Sequence, residues 1–251
     1  MNMPQPAAQK RLDLREKPRQ RSPVMYQKWR DLLFLHWAFD PADVQRTLPQ
    51  GLYVDTFDSK AYIGIVPFFM HDVRPRFLPA IPGISNFMEV NLRTYAYDSQ
   101  GNPGVWFYSL DANQWLAVQI ARKTFGLPYF YARMQAKKDE KTGEIQNLSR
   151  RRGGSTEQDS FFHYRGVGPA RQAQPGSLEF FLVERYLLFS CRGKKLWKGR
   201  VHHSAYPLRD AEVLEWDDHL FFLDGLERPG RSPDHILLSA GVDVKVYRVE
   251  E

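Results

Sequence analysis

The chain has 251 residues, 43% of them hydrophobic, which is enough apolar matter for one large domain with a core or for two small ones. Its single cysteine, Cys191, excludes an intrachain disulfide framework and a thiolate metal cluster. It contains no run of about 18 apolar residues, so we expect no membrane span and a cytoplasmic location.

The first 22 residues are rich in proline, glutamine and charge, and they carry part of the net charge of +6. They lack the apolar segment of a secretory signal. We predict a mobile basic tail over 1–22 and one domain over 23–251. Nucleic-acid binding through this tail and Arg150, Arg151 and Arg152 is one interpretation. A solvated tail and a charged turn are favoured, because no known nucleic-acid-binding pattern accompanies the charge.

Strand and helix signals alternate over the first third of the chain. An apolar run over 32–39 predicts a strand, and Asp40 and Pro41 suit the start of a short helix. The segments 52–57 and 61–70 are rich in β-branched and aromatic residues and predict two more strands. Residues 72–86 resemble a loop.

Residues 87–97 alternate with the period of a strand. One face, with Met88 and Val90, is typical of a core. The other face carries Phe87, Glu89, Asn91, Arg93 and Tyr95. That face is either an exposed row of polar groups or the wall of a polar cavity, and its aromatic residues argue against full exposure.

A helix is predicted over 113–125, with Asp111 or Asn113 as its N-cap and Gly126 ending it. The strand that follows places Tyr129, Tyr131 and Arg133 on one face. These phenols lie either at the rim of a half-buried strand or in a pocket.

Two further clusters could carry chemistry. Glu184 and Arg185 end a short predicted helix, where such charges are either functional or solvated. His202 and His203 are adjacent in a predicted strand and point to opposite faces, so at most one of them faces a cavity. No ligand set with zinc-type spacing accompanies them, and we predict neither a metal site nor a cofactor.

The many short strands, few helices and missing βαβ alternation favour a mainly β (α+β) protein with a barrel-like antiparallel sheet. Several blocks occurring in order, among them HWAFDPADVQRTLPQGLYVDTF, EVNLRTY and FLVERYLLF, resemble the uncharacterised YqjF-like family. That family is similar in turn to the acetoacetate decarboxylase superfamily. The resemblance implies a large antiparallel β barrel or cone, a buried polar pocket and a few short flanking helices.

Acetoacetate decarboxylases form a Schiff base through a lysine that follows a helix and a turn similar to residues 113–128 here. A second lysine follows the first in that family. Tyr129 and Phe130 fall at these two positions here, and neither can form an imine. Glu89 matches a family glutamate, Arg30 matches an arginine, and Gly64 stands where the family has another acid. The resemblance therefore implies a pocket with an acid and a base but without the nucleophile.

We hypothesise a small-molecule binding protein or enzyme whose ligand carries a polar or carboxylate group. Glu89 would act as acid or base and Tyr129 as hydrogen-bond donor, while Arg30 and Arg93 would hold an anion. The other candidate binding residues are Asn91, Tyr131, Glu184, Arg185 and His203. The alternative is a non-catalytic interaction or structural protein with a packed barrel. A homo-oligomer is expected by family analogy alone.

Overall fold

The computed structural model describes residues 5–19, 21–153, 158–193 and 195–251. The helices in this part of the chain are α1 (Ala8–Arg15), α2 (Pro41–Thr47), α3 (Trp115–Phe125), α4 (Leu178–Val183) and α5 (His219–Leu223). The strands are β1 (Met25–Phe39), β2 (Leu52–Val54), β3 (Ala61–Pro75), β4 (Phe87–Asp98), β5 (Pro103–Ala112), β6 (Tyr129–Lys138), β7 (Ile145–Arg151), β8 (Ser160–Arg171), β9 (Leu187–Arg192), β10 (Lys195–His202), β11 (Leu208–Glu215) and β12 (His235–Val246). None of the described helices is long and apolar enough to cross a membrane.

The strands form one sheet that wraps into a ring. Their order is β10-β9-β5-β6-β7-β8-β11-β12-β1-β3-β4-β2. Two further pairings close the sheet on itself: β4 with β5 completes a large ring, and β10 with β12 completes a smaller one. The predicted mainly β, barrel-like fold with short flanking helices is confirmed.

One part of the sheet is parallel rather than antiparallel. β5 pairs in parallel with β6 and with β9. Parallel neighbours need a crossover connection, and α3 supplies it between β5 and β6. This single unit does not make the βαβ alternation of a doubly wound sheet, and in it α3 brings the start of β6 against the end of β5.

Helix α3 ends where the sequence predicts and begins under a different cap. Gly126 has a φ of 65°, the left-handed conformation that favours glycine at a helix end. The N-cap is Gln114, whose side chain accepts from the Leu116 backbone amide. Asp111 and Asn113 are unavailable as caps because their side chains bind Arg151 and the Met88 backbone amide.

Strand β1 changes face at a bulge. Met25, Gln27 and Trp29 lie on the cavity side, as alternation requires. Asp31 has a φ of 51°, and the pairing of β1 with β3 shifts register after Arg30. Leu32 consequently returns to the cavity side, and Arg30 is left on the outer face.

The amino-terminal segment carries a helix that contacts the barrel. Arg11 of α1 donates two hydrogen bonds, of 2.6 and 2.7 Å, to the carboxylate of Asp55. Asp55 is fully buried and also accepts from Arg185 at 2.6 Å. A mobile tail over 1–22 stays a prediction, and composition alone does not reveal this contact between Arg11 and a buried carboxylate. Residues 1–4 and 20 of that segment lie outside the described residues.

The second basic cluster is largely neutralised. Arg150 pairs with Asp159, and Arg151 is buried between Asp111 and Asp224. The row of arginines is therefore not a row of free positive charges.

Candidate functional site

A cavity of about 340 Å³ lies inside the ring of strands. Its walls come from β1, β3, β4 and β5, from helix α3 and from the segment 76–86 that joins β3 to β4. Most of the lining is apolar, and the polar side chains are concentrated on β4 and at the start of β6. Four of the five residues on the face of β4 that the sequence leaves open between surface and cavity line the cavity: Phe87, Glu89, Asn91 and Arg93.

Three polar side chains meet at the centre of this lining. Glu89 is 2% exposed, and its Oε2 accepts a hydrogen bond of 2.8 Å from the hydroxyl of Tyr129. Its Oε1 accepts a weaker bond of 3.3 Å from Nδ2 of Asn91. Strand alternation places Glu89 and Asn91 on the same face of β4, and the turn after α3 delivers Tyr129 to them. The sequence prediction that these residues act together is consistent with this geometry.

Burial sets the protonation of the pair. Loss of solvation raises the pKa of Glu89 from 4.5 to about 7, although the hydrogen bonds from Tyr129 and Asn91 oppose the change. Burial, together with the neighbouring Glu89, raises the pKa of Tyr129 well above its usual value. Tyr129 as a whole residue is only partly buried, but its hydroxyl lies against a carboxylate that is almost fully enclosed. Near neutral pH Glu89 can therefore gain or lose a proton, whereas Tyr129 stays a donor.

Farther along β4 the cavity wall contains a partly exposed cation. The guanidinium of Arg93 lies 5.4 Å from the ring centre of Phe34 and 5.8 Å from that of Tyr95. Its Nε is buried without a hydrogen-bond partner among the described residues, and the same holds for Oδ1 of Asn91. Arg93 also forms no ion pair with any carboxylate in the described part of the chain. Buried polar atoms of this kind normally have partners, so these two atoms are exceptions to the usual pattern.

Two of the predicted site residues lie elsewhere. Arg30 points outward, where it pairs with Asp243 at 2.5 Å and donates to the backbone carbonyl of Val242. Tyr131 is absent from the cavity lining: of the β6 residues, all of which are described, Tyr129 alone lines it. The ring of Tyr131 instead lies 5.8 Å from the guanidinium of Arg152.

Glu184, Arg185 and His203 are buried behind the cavity wall instead of lining it. Glu184 accepts from the backbone amide of Tyr206 at 3.1 Å and from the hydroxyl of Tyr186. Arg185 holds Asp55, as described above. Burial raises the pKa of Glu184 and lowers that of Arg185 to about 10. These buried contacts of Glu184 and Arg185 hold the cavity wall in position from behind.

His203 is the inward member of the histidine pair, and His202 is half-buried at the end of β10. The ring of His203 stacks on Tyr186 at 4.6 Å, and its Nδ1 donates to the carbonyl of Ser204 at 2.7 Å. Burial lowers the pKa of His203 to about 4, so it is neutral at physiological pH. It supports Tyr206 and Trp29, which line the cavity.

The position Gly64, where the resemblance implies an acid, has no room for a side chain. A Cβ atom there would lie 2.6 Å from Cδ2 of His36. His36 is fully buried, and its Nε2 shares a hydrogen bond of 2.6 Å with the hydroxyl of Tyr95. Within the described residues, no group of three or more His, Cys, Asp or Glu is arranged to hold a metal ion.

Sequence reasoning missed the apolar part of the lining. Phe68 and Met70 of β3 and Leu116 and Ile120 of α3 all contact the cavity. A signal was present in the segment RFLPAIPGISN, residues 76–86, because four large apolar residues are unusual in a proline-rich loop.

Solved structures with a similar fold place the chain in a known structural class. Acetoacetate decarboxylase from Legionella pneumophila matches with a TM-score of 0.62 and 12% identity, over 94% of this chain and 91% of that chain. The enduracididine biosynthesis enzyme MppR, complexed with pyruvate, matches with a TM-score of 0.58 and 11% identity, over 92% and 91% of the two chains. The fold is therefore acetoacetate-decarboxylase-like.

Sequence comparison gives the family. The chain belongs to the DUF2071 family, described as "Uncharacterized conserved protein", whose sequence profile matches residues 26–243. The uncharacterized protein YqjF from Bacillus subtilis (strain 168) is 41% identical over 193 residues, which are 76% of this chain and 77% of that protein. The predicted resemblance to YqjF and to the decarboxylase fold is confirmed.

Proposed function

We propose that the barrel cavity binds a small molecule carrying a carboxylate, and that Glu89 exchanges a proton with it. The observation that carries this proposal is the buried pair of Glu89 and Tyr129 beside two buried polar atoms, Nε of Arg93 and Oδ1 of Asn91, that lack partners among the described residues. Such convergent polar groups in an otherwise apolar cavity are typical of ligand sites.

Each of the four residues has a role in this proposal. Arg93 binds the carboxylate, because a guanidinium presents forked donors to it. Asn91 accepts a hydrogen bond from the ligand through Oδ1. Tyr129 donates, and Glu89 acts as acid or base because its pKa of about 7 matches neutral pH.

The comparisons support a small acid as ligand. MppR has been solved in complex with pyruvate, and acetoacetate decarboxylases by their name act on another small carboxylic acid. These likenesses at low identity concern the fold, so the ligand of this protein rests on the four residues above.

We further propose that the protein is not an acetoacetate decarboxylase that works through a Schiff base. The described residues lining the cavity include no lysine, and Tyr129 and Phe130 stand at the two positions that the resemblance assigns to lysines. Incubation with acetoacetate and borohydride should leave the protein's mass unchanged. A stable adduct on a lysine would contradict this.

The alternative of a packed, non-catalytic barrel is disfavoured by the cavity itself. This alternative would be favoured if no acid bound to the folded protein. A cytoplasmic location, the lack of a nucleic-acid partner and a homo-oligomeric state stay predictions.

Thermal-shift and calorimetric titration with pyruvate and other small carboxylic acids test the proposal. We expect saturable binding that is lost or weakened at least tenfold in Arg93→Gln. The matched control is Arg30→Gln, which removes an arginine from the outer face of the barrel and should bind as the wild type does. Equal loss in both variants, or no binding by any acid, would refute the proposal.

A further inference from the structure

The mouth of the cavity is apolar and exposed. Five residues that line the cavity are also substantially solvent-exposed: Leu78 (54%), Ile81 (48%), Ile84 (37%), Leu116 (40%) and Ile120 (44%). The first three belong to the segment 76–86 and the last two to α3, so the two elements frame one opening. Exposed apolar side chains that continue into a cavity indicate that something apolar occupies the passage.

Strand β4 orders the polar groups by distance from the mouth. The mouth segment runs directly into Phe87, and Glu89, Asn91 and Arg93 then follow along the strand, each farther from the mouth segment. A strand rises about 3.3 Å per residue, so Arg93 lies roughly 20 Å along the strand from Phe87. Arg93 is thus at the end of the row away from the mouth, and this partly exposed residue lies beside the buried rings of Phe34 and Tyr95.

Beside this polar row the walls are hydrocarbon. Phe68 and Met70 on β3, together with Phe107 on β5 and Phe125 on α3, face the same space. Phe68 and Met70 are paired with Glu89 and Phe87, away from Arg93, so a two- or three-carbon acid held at Arg93 would leave them without contact. A ligand that contacts the whole lining needs an anionic end and a longer apolar body.

We propose that the ligand is an amphipathic monocarboxylic acid, with its carboxylate on Arg93 and an apolar chain or ring that extends past Phe68 and Phe87 to the mouth between segment 76–86 and α3. This inference rests on the proposed function, since it specifies the ligand of the same site. The apolar body buries hydrocarbon against the walls, and the exposed mouth residues accommodate its far end.

Calorimetric titration with the series acetate, butanoate, hexanoate, octanoate and decanoate tests the inference. Each methylene that enters the cavity should tighten binding by about fourfold until the chain reaches the mouth, where the gain should stop. Octanamide should bind more weakly than octanoate, because it offers Arg93 no charge. Arg93→Gln should remove that difference, and Arg93→Lys should restore part of it.

A mouth variant separates this inference from the function on which it rests. Ile120→Asn should weaken decanoate and leave butanoate unchanged, because a short acid does not reach α3. The control Leu214→Asn alters a residue that is 47% exposed on β11, away from the cavity, and should change neither. Saturable binding of short acids without any gain along the series would overturn the amphipathic ligand and leave the proposed function standing. Binding of no acid at all would overturn both.

Discussion

At the scale of single residues, the proposed chemistry depends on a carboxyl group that burial keeps close to half-protonated at neutral pH. Glu89 combines near-complete burial with two hydrogen bonds, and it has no cation at ion-pair distance among the described residues. An acid in this setting favours its neutral form because its charge would be poorly solvated.

The stability of the protein should report this protonation. The pKa of Glu89 is about 7 in the folded state and near 4.5 in the unfolded chain, so the native state binds more protons between these values. The contribution of Glu89 is fully present below about pH 4.5 and is lost as pH rises through 7, by up to about 3 kcal/mol.

Urea denaturation of the wild type and of Glu89→Gln at several pH values measures this difference. The unfolding free energy of the wild type should fall relative to the variant as pH rises from 5 to 8. Burial also raises the pKa of Asp111 to about 6, but Asp111 is present in both proteins and cancels in the comparison. Parallel pH profiles would show that Glu89 is not the titrating group.

The hydroxyl of Tyr129 should set where Glu89 titrates. It donates to the carboxylate and so favours the charged form, which means that Tyr129→Phe should raise the pKa of Glu89 further. A carbon-13 NMR titration of labelled glutamate side chains would measure this change in the pKa of Glu89. The control is Tyr131→Phe, which lies two residues along β6 and outside the cavity. It should leave the pKa of Glu89 unchanged.

At the scale of elements, the pairing of β1 with β12 depends on one glycine. Gly241 has a φ of 123°, and a Cβ atom there would lie 2.0 Å from the carbonyl oxygen of Trp29 on the neighbouring strand. The backbone of β1 cannot give way without moving Trp29, which lines the cavity.

Gly241→Ala should therefore lower the unfolding free energy by about 3 kcal/mol or more, through both backbone strain and overpacking. Gly168→Ala is the matched control, since Gly168 also has a positive φ of 70° but open space around it. It should cost about 1 kcal/mol. Chemical denaturation of both variants measures the two losses of unfolding free energy. Equal losses would mean that the close approach to Trp29 carries no penalty.

The sequence predicts the elements well wherever local pattern determines them. Alternation in β4 is enough to find Glu89, Asn91 and Arg93, and the glycine signal locates the end of α3 at Gly126. The resemblance implies a pocket role for Arg30, but a resemblance does not reveal the face on which a strand residue lies, and alternation with Met25, Gln27 and Trp29 puts Arg30 outside. The parallel pairing of β5 with β9 joins distant segments, and no local pattern encodes it.

At the scale of the whole molecule, Asp55 connects the amino-terminal helix to the barrel. Its carboxylate is held by Arg11 of α1 and by Arg185 after α4, so one buried charge ties three parts of the chain together. Removing one member of such a buried pair is costly because the other charges lose their partner.

Asp55→Asn should lower the unfolding free energy by about 3 kcal/mol or more and release α1. Limited trypsin digestion should then cut faster after Lys10 and Arg11. The control Asp43→Asn removes an exposed ion pair with Arg46 and should cost less than about 1 kcal/mol. Unchanged digestion at α1 would mean that the ion pair does not hold this segment in place.

The closure of the ring has a consequence for how the protein is made. β1, residues 25–39, pairs along most of its length with β12, residues 235–246, which leaves the ribosome some two hundred residues later. Until then β1 is paired with β3 along one edge, and the backbone N–H and C=O groups of its other edge lack their native partners. Pairings this distant in sequence make folding slow. The nascent chain therefore exposes an unpaired, aggregation-prone strand edge throughout most of its synthesis. The need for chaperone binding should be greatest just before β12 emerges.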